Sequence, residues 1–297
     1  MAIDYDRLRR WAIPDQRNRY GQDDCIRYAL SLGMGADPLD ALDLPFVYEG
    51  ARADAPMPVM PTLLSVVGAP GAWATDPGTG IDWMQILHGE HRMRFHAPLP
   101  PAAEVLSRTQ VCRVVDKGAG RGALVVTERQ VSDAASGRPL ATVEHVSFCR
   151  ADGGFATPGQ PGDAALPALP ALPQRPADLS WDMPTLASAA LLYRLNGDRN
   201  PIHASPEAAR SAGFERPILH GLCTFGMAAR ALVRLACGND PARLASIAAR
   251  FSAPVVPGDT LTAQLWHEGG DAWRFAVWAR ERQCMVLSHG TAEVLPA

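Results

Sequence analysis

Tyr193-Arg194-Leu195-Asn196-Gly197-Asp198-Arg199-Asn200-Pro201-Ile202-His203, followed by Ser205-Pro206 and then Ile218-Leu219-His220-Gly221, is the stretch from which the fold and the chemistry are read. An apolar lead turns at Asn196-Gly197 and delivers a carboxylate and an imidazole five residues apart across a proline-stiffened turn. Ser205-Pro206 reads as a helix start, a hydroxyl to cap and a proline whose missing N–H is harmless at the first position. A second start at Gly221 opens the apolar run Leu222 to Cys237. Within it Leu222, Phe225, Ala229, Leu232, Val233 and Ala236 recur at helical spacing and the pattern stops at Gly238, which predicts one long helix with a core-facing stripe.

Outward from that helix the chain reads as strands. In the C-terminal half Ala248–Pro254, Leu261–Trp266, Trp273–Ala279 and Met285–Val294 are short and turn-bounded; in the N-terminal half Val105–Val115, Ala123–Val131 and Ala141–Phe148 are rich in β-branched residues. Tight turns between them imply antiparallel pairing. Arg94-Phe95-His96-Ala97-Pro98 recurs as Arg250-Phe251-Ser252-Ala253-Pro254, each copy leading into such strands, which argues for a duplicated unit. The copies are unequal. The first has no Asp-to-His pair in the corresponding place, and its best helix, near Pro61–Val67, is cut short by Gly68 and Pro70. Residues 156–178, crowded with Pro and Ala, read as a linker between an N-terminal domain (1–155) and a C-terminal domain (179–297).

Composition excludes several classes. The 297 residues are 47% hydrophobic and 20% charged with a net charge of −3, ordinary for a globular protein with a large core and unsuited to a nucleic-acid or membrane partner. The six cysteines carry no CxxC pair or metal-ligand spacing and read as buried thiols of a reducing compartment. The N-terminus Met1-Ala2-Ile3-Asp4 has no apolar signal region, no run is long enough to span a membrane, and Val294-Leu295-Pro296-Ala297 is no peroxisomal address, so a cytoplasmic location is expected.

The chemistry expected of the loop is proton transfer beside a polarised carbonyl. Asp198 and His203 can share one water, Asn200 can tie the loop to its own backbone, and the N–H of Gly221, at a helix N-terminus, can stabilise a developing oxyanion. Taken by spacing alone, Asp-x-Asn-Pro is also ordinary turn chemistry, and a lone histidine after it is more often structural.

Gly197-Asp198-Arg199-Asn200-Pro201-Ile202-His203 and His220-Gly221-Leu222-Cys223-Thr224-Phe225-Gly226 resemble the signature of the MaoC-like hydratase 2 family. Tyr28–Gly33, Phe46–Glu49, Leu87-His88-Gly89-Glu90 and Asp116-Lys117-Gly118 resemble further segments of it, so the likeness runs from about Asp24 onward. The resemblance implies an α+β double hotdog, two antiparallel sheets each around a central helix with the N-terminal helix shortened. It implies an R-specific 2-enoyl-CoA hydratase, a hydro-lyase of fatty acid metabolism, in which Asp198, His203, Asn200 and Gly221 are catalytic. On the same basis His88, Gly89, Lys117, Arg250 and Phe251 contact substrate and coenzyme A, the N-terminal domain holds the acyl chain, and the protein is a homodimer. The substrate is an acyl-CoA thioester, and no metal or redox cofactor is implied. A hotdog acyl-CoA thioesterase and a non-catalytic acyl-CoA binding protein are the alternatives; the intact Asp198/Asn200/His203 set speaks against the second.

Overall fold

The computed structural model describes residues 3–52, 54–160 and 162–296. Met1, Ala2, Ala53, Pro161 and Ala297, on which parts of the N-terminal, linker and C-terminal readings fall, lie outside them. The chain runs α1 (Tyr5–Arg9), β1 (Gln16–Tyr20), α2 (Gln22–Ser31), α3 (Leu44–Val47), β2 (Ile86–Phe95), β3 (Ala103–Asp116), β4 (Ala123–Asp133) and β5 (Pro139–Cys149). It continues through β6 (Leu179–Pro184), α4 (Ala189–Tyr193), α5 (Pro206–Ser211), α6 (Gly221–Leu235), β7 (Leu244–Phe251), β8 (Thr260–His267), β9 (Ala272–Ala279) and β10 (Cys284–Val294).

All strands join one 10-stranded antiparallel sheet in the order β1-β3-β4-β5-β2-β7-β10-β9-β8-β6. Read from the centre outward, each half repeats the other, and the two copies of the Arg-Phe motif end the paired central strands β2 and β7, with Glu90 opposite Arg250. This is a double hotdog. The duplication inferred from one short repeat is therefore a property of the whole sheet.

The C-terminal half has its long helix. α6 is wrapped by core on nearly every side, with Cys223, Phe225, Ala229, Ala231 and Leu232 fully buried. Its Gly226 allows close approach of α2: a Cβ there would lie 2.6 Å from Leu32 Cδ2. In the N-terminal half the corresponding element is only a 3-10 turn over Pro61–Ser65, all of it buried. The expected shortening is observed, since Gly68 takes the left-handed conformation soon after the turn. Behind α6, Arg230 reaches Asp43 at 2.6 Å as a buried ion pair and lies over the Trp181 ring.

The predicted strands lie within the observed ones except at one end. Pro254 falls outside β7, which stops at Phe251; a proline cannot donate to the ladder. β1, β2 and β6 escaped the sequence reading: Gln-Arg-Asn-Arg-Tyr at one sheet edge and the charged run Ile86–Phe95 at the centre show no regular apolar alternation, and Leu-Ser-Trp-Asp-Met-Pro at the other edge alternates but follows directly on the proline-rich stretch. Residues 162–178 carry no helix or strand. Among the described residues no helix is long and apolar enough to cross a membrane.

Candidate active site

Two consecutive side-chain turns shape the loop after α4. Asp198 Oδ1 accepts from the Asn200 N–H at 3.1 Å, and Asn200 Oδ1 accepts from the Ile202 N–H at 3.2 Å. Asn200 thus has the loop-fixing bond expected of it and points no donor at the dyad through that oxygen. Pro201 opens a 3-10 turn, Pro201–His203, whose last residue is carried inward until it is 7% exposed. The preset φ of proline and the Asn200 cap make this turn local and stiff.

The second segment meets the first through the backbone, Ile218 N–H to Ile202 C=O, and through the His203 ring, whose Nδ1 lies 2.8 Å from Ile218 O. A carbonyl can only accept, so Nδ1 carries the proton and Nε2 is left with its lone pair. His220, the residue before α6, stacks on His203 with ring centroids 3.7 Å apart and interplanar angle 24°. Its Nε2 lies 3.3 Å from the Asp198 carbonyl oxygen and so donates, while its buried Nδ1 has no partner among the described residues. One ligating atom each of Asp198, His203 and His220 lies within 4.8 Å of the others. Two hydrogen bonds to one shared water span up to about 5 Å, and the carboxylate–imidazole separation is within that reach.

Burial keeps both rings neutral. Desolvation lowers the His203 pKa, opposed by its bond to Ile218 and by the Asp198 charge. Desolvation and the neighbouring His203 push His220 down to about 4. A neutral His203 with a bare Nε2 is the form that accepts a proton from water.

Gly221 is the first residue of α6, at the positive end of a 15-residue helix. Its N–H makes no hydrogen bond among the described residues. A Cβ at this position would lie 3.1 Å from Phe251 Cε1, so glycine is what lets the ring and any ligand approach the amide. Phe251 in turn meets His88 of β2 at 4.2 Å between ring centroids. The site is therefore closed by both halves, with α6 and β7 from one and β2 from the other.

The remaining residues expected to bind coenzyme A fall into two groups. Gly89 forms a bulge beside Val146 and Phe148, and the exposed Lys117 extends its ammonium over the Phe148 ring at 5.0 Å, so Lys117, Gly89 and His88 share one end of the sheet. Arg250, by contrast, is already held by Glu90 through Nε at 3.1 Å and Nη2 at 2.8 Å. It meets a phosphate only by sharing or exchanging that partner. His220 was not singled out by sequence reasoning, although a histidine immediately before a helix-starting glycine was the available signal. A surface cleft of about 750 Å³ lined by Asp4, Arg7, Trp11 and Gln160 shares no residue with this site.

Comparison with known proteins agrees with the geometry. Residues 169–283 match the MaoC like domain and residues 18–151 match the MFE-2 hydratase 2 N-terminal domain. The chain belongs to the MaoC-like hydratase 2 family. It is 36% identical over 265 residues to enoyl-CoA hydratase 2, peroxisomal, of Arabidopsis thaliana, covering 86% of this chain and 85% of that protein. It is 41% identical over 244 residues to 3-hydroxyacyl-thioester dehydratase Y of Mycobacterium tuberculosis, covering 82% and 80% of the two chains. A crystal structure of a MaoC-like dehydratase from Phytophthora capsici superposes with a TM-score of 0.86 at 32% identity, covering 99% of this chain and 100% of the other. The hydratase 2 motifs quoted from the sequence are thus embedded in the matching fold.

Proposed function

We propose that this protein is an R-specific 2-enoyl-CoA hydratase of fatty acid metabolism, catalysing the reversible syn addition of water to trans-2-enoyl-CoA. The observation that carries the reading is the pairing of the Asp198 carboxylate with a buried, neutral His203 whose Nε2 is bare, beside the unpaired Gly221 N–H. Water held between Asp198 and His203 gives its oxygen to C3, and a proton returns to C2 from the same pair, on the same face. The Gly221 N–H donates to the thioester oxygen as negative charge grows on it, an interaction stronger in the transition state than in the ground state. Asn200 positions this loop through its cap on Ile202 and does not exchange protons.

In this reading residues 179–297 carry the chemistry, and residues 1–155 hold the acyl chain and part of the coenzyme A through His88, Gly89 and Lys117, with Phe251 as the wall between them. No cofactor takes part in the steps described. The test is to incubate the purified protein with crotonyl-CoA and with a longer trans-2-enoyl-CoA, following the absorbance of the conjugated thioester. The product should be (3R)-hydroxyacyl-CoA, oxidised by an R-specific and not by an S-specific dehydrogenase. Release of free coenzyme A thiol without hydration would mean a thioesterase, and an S product would overturn the stereochemical assignment.

A further inference from the structure

Three histidines outside the dyad, one of them the His88 already assigned to substrate contact, come together on the inner face of the N-terminal half. His91 of β2 is directly opposite His145 of β5. His88, three residues before His91, would face the other way along a regular strand, since side chains alternate. The bulge at Gly89 cancels one step of that alternation and turns His88 to the same face. Glycine is required there, because a Cβ at Gly89 would lie 3.1 Å from the Val146 carbonyl oxygen. One ring nitrogen from each of the three lies within 4.8 Å of the other two.

These rings are short of partners. His91 is 2% exposed and uses Nε2 on the Ser65 hydroxyl at 3.3 Å, while its Nδ1 is buried and unpaired; His88 Nε2 is also buried and unpaired. Buried polar atoms are rarely left so. The surroundings include Phe225 against His91 and Phe251 against His88, and Met93 shares the Ser65 hydroxyl. We propose that His88, His91 and His145 form a binding site for a divalent transition-metal ion of the imidazole-preferring kind, zinc above all. His91 Nδ1 and His88 Nε2 are the ligating atoms, and the Ser65 hydroxyl orients His91 from behind, the second contact that metal-binding histidines commonly make.

The geometry can be checked against a tetrahedral set. With zinc–nitrogen bonds of about 2.0–2.1 Å, coordinated rings have centroids about 5 Å apart. His88–His91 at 5.4 Å and His91–His145 at 5.8 Å, both near perpendicular, are close to that. His88–His145 at 3.8 Å is tighter, so the ion must part these two rings by roughly 1.5 Å. Arg129 is a cation whose charge acts on His91 and His145. It is directed onto the carbonyls of Leu64, Ser65 and Val67, and its repulsion excludes weakly held ions such as magnesium or calcium in favour of those that bind imidazole strongly.

The competing donor set in the same protein is Asp198, His203 and His220, two imidazoles and a carboxylate. The experiment therefore loads the whole protein with Co2+ or Zn2+ after chelator treatment and gel filtration. One equivalent per chain is expected, with visible cobalt bands of a four-coordinate nitrogen-rich site. Uptake should be lost in His91→Gln and in His145→Gln and kept in His203→Gln. X-ray absorption at the zinc edge of the unsubstituted protein reads the ligands without any variant, so the answer does not depend on the variants folding. Three imidazoles and no protein carboxylate support the site. Absence of uptake by the unsubstituted protein, retention in a folded His91→Gln/His145→Gln double variant, loss in His203→Gln, or a two-imidazole-plus-carboxylate shell would overturn it.

Discussion

Replacing His203 by glutamine tests the centre of the proposed chemistry. The substitution removes the imidazole whose bare Nε2 is paired with the Asp198 carboxylate in the proposed chemistry, while a glutamine amide can still donate to the Ile218 carbonyl that His203 Nδ1 reaches at 2.8 Å. Loss of a positioned acid–base group lowers turnover by about a hundredfold to ten-thousandfold, or about 3–5 kcal/mol in the barrier. The folding cost should be smaller. The neutral hydrogen bond is worth about 1 kcal/mol and is partly replaced, leaving mainly the stack on His220 to be lost. Asp198→Asn should fall in the same range, and the double variant should be little worse than either single one, because two groups that hold one water act as a unit. The assay is hydration of crotonyl-CoA by each variant, with circular dichroism and thermal unfolding to establish that each is folded. Near-normal hydration by a folded His203→Gln or Asp198→Asn, or full multiplication of their effects, would refute the shared-water assignment.

Acid should destabilise the protein through its buried imidazoles. His145 and His220, at about 4 in the folded state, take up protons on unfolding below about 6.5, so stability is whole above that pH and falls as pH drops toward 4. At pH 5 a single such histidine costs about 2 kcal/mol, and urea unfolding at pH 7.5 and 5 should show a midpoint well lower in acid; equal midpoints would mean the rings are already charged. Asp43→Ala leaves Arg230 buried without its carboxylate and should cost about 3–5 kcal/mol, whereas a loss under 1 kcal/mol would show that pair to be hydrated. Gly226→Ala gains about 1 kcal/mol of helix propensity but sets a methyl group 2.6 Å from Leu32 Cδ2, so thermal unfolding should show net destabilisation, and a stabilised variant would disprove the tight α6–α2 packing.

Much of this protein is local enough to be legible in its order of residues. The run Asp198-Arg199-Asn200-Pro201-Ile202-His203 specifies its own turns, since Asx caps and a proline act over two or three residues. The apolar period from Leu222 to Ala236 specifies α6, and the β-branched runs specify β3, β4 and β5, because both patterns report burial on one face. The unequal halves were likewise visible in Gly68 and Pro70, a pair that ends a helical run, since glycine weakens a helix and proline removes an N–H and clashes with the preceding turn. The edge strand β1 was not legible because Gln-Arg-Asn-Arg is polar throughout, and the central strand β2 was not because its charged side chains and the bulge at Gly89 break the alternation by which a strand is recognised. His220 acquires its place only when Ile218 and Ile202 are joined, which stacks one imidazole on another from a segment distant in sequence. Arg250, a free charge by sequence, becomes the partner of Glu90 because β7 pairs with β2 across the centre of the sheet. His88, His91 and His145 carry no metal-ligand spacing between them. Only the β2–β5 register and the bulge at Gly89 direct their rings to one point, and both are set by hydrogen bonds between strands that the linear chain does not record.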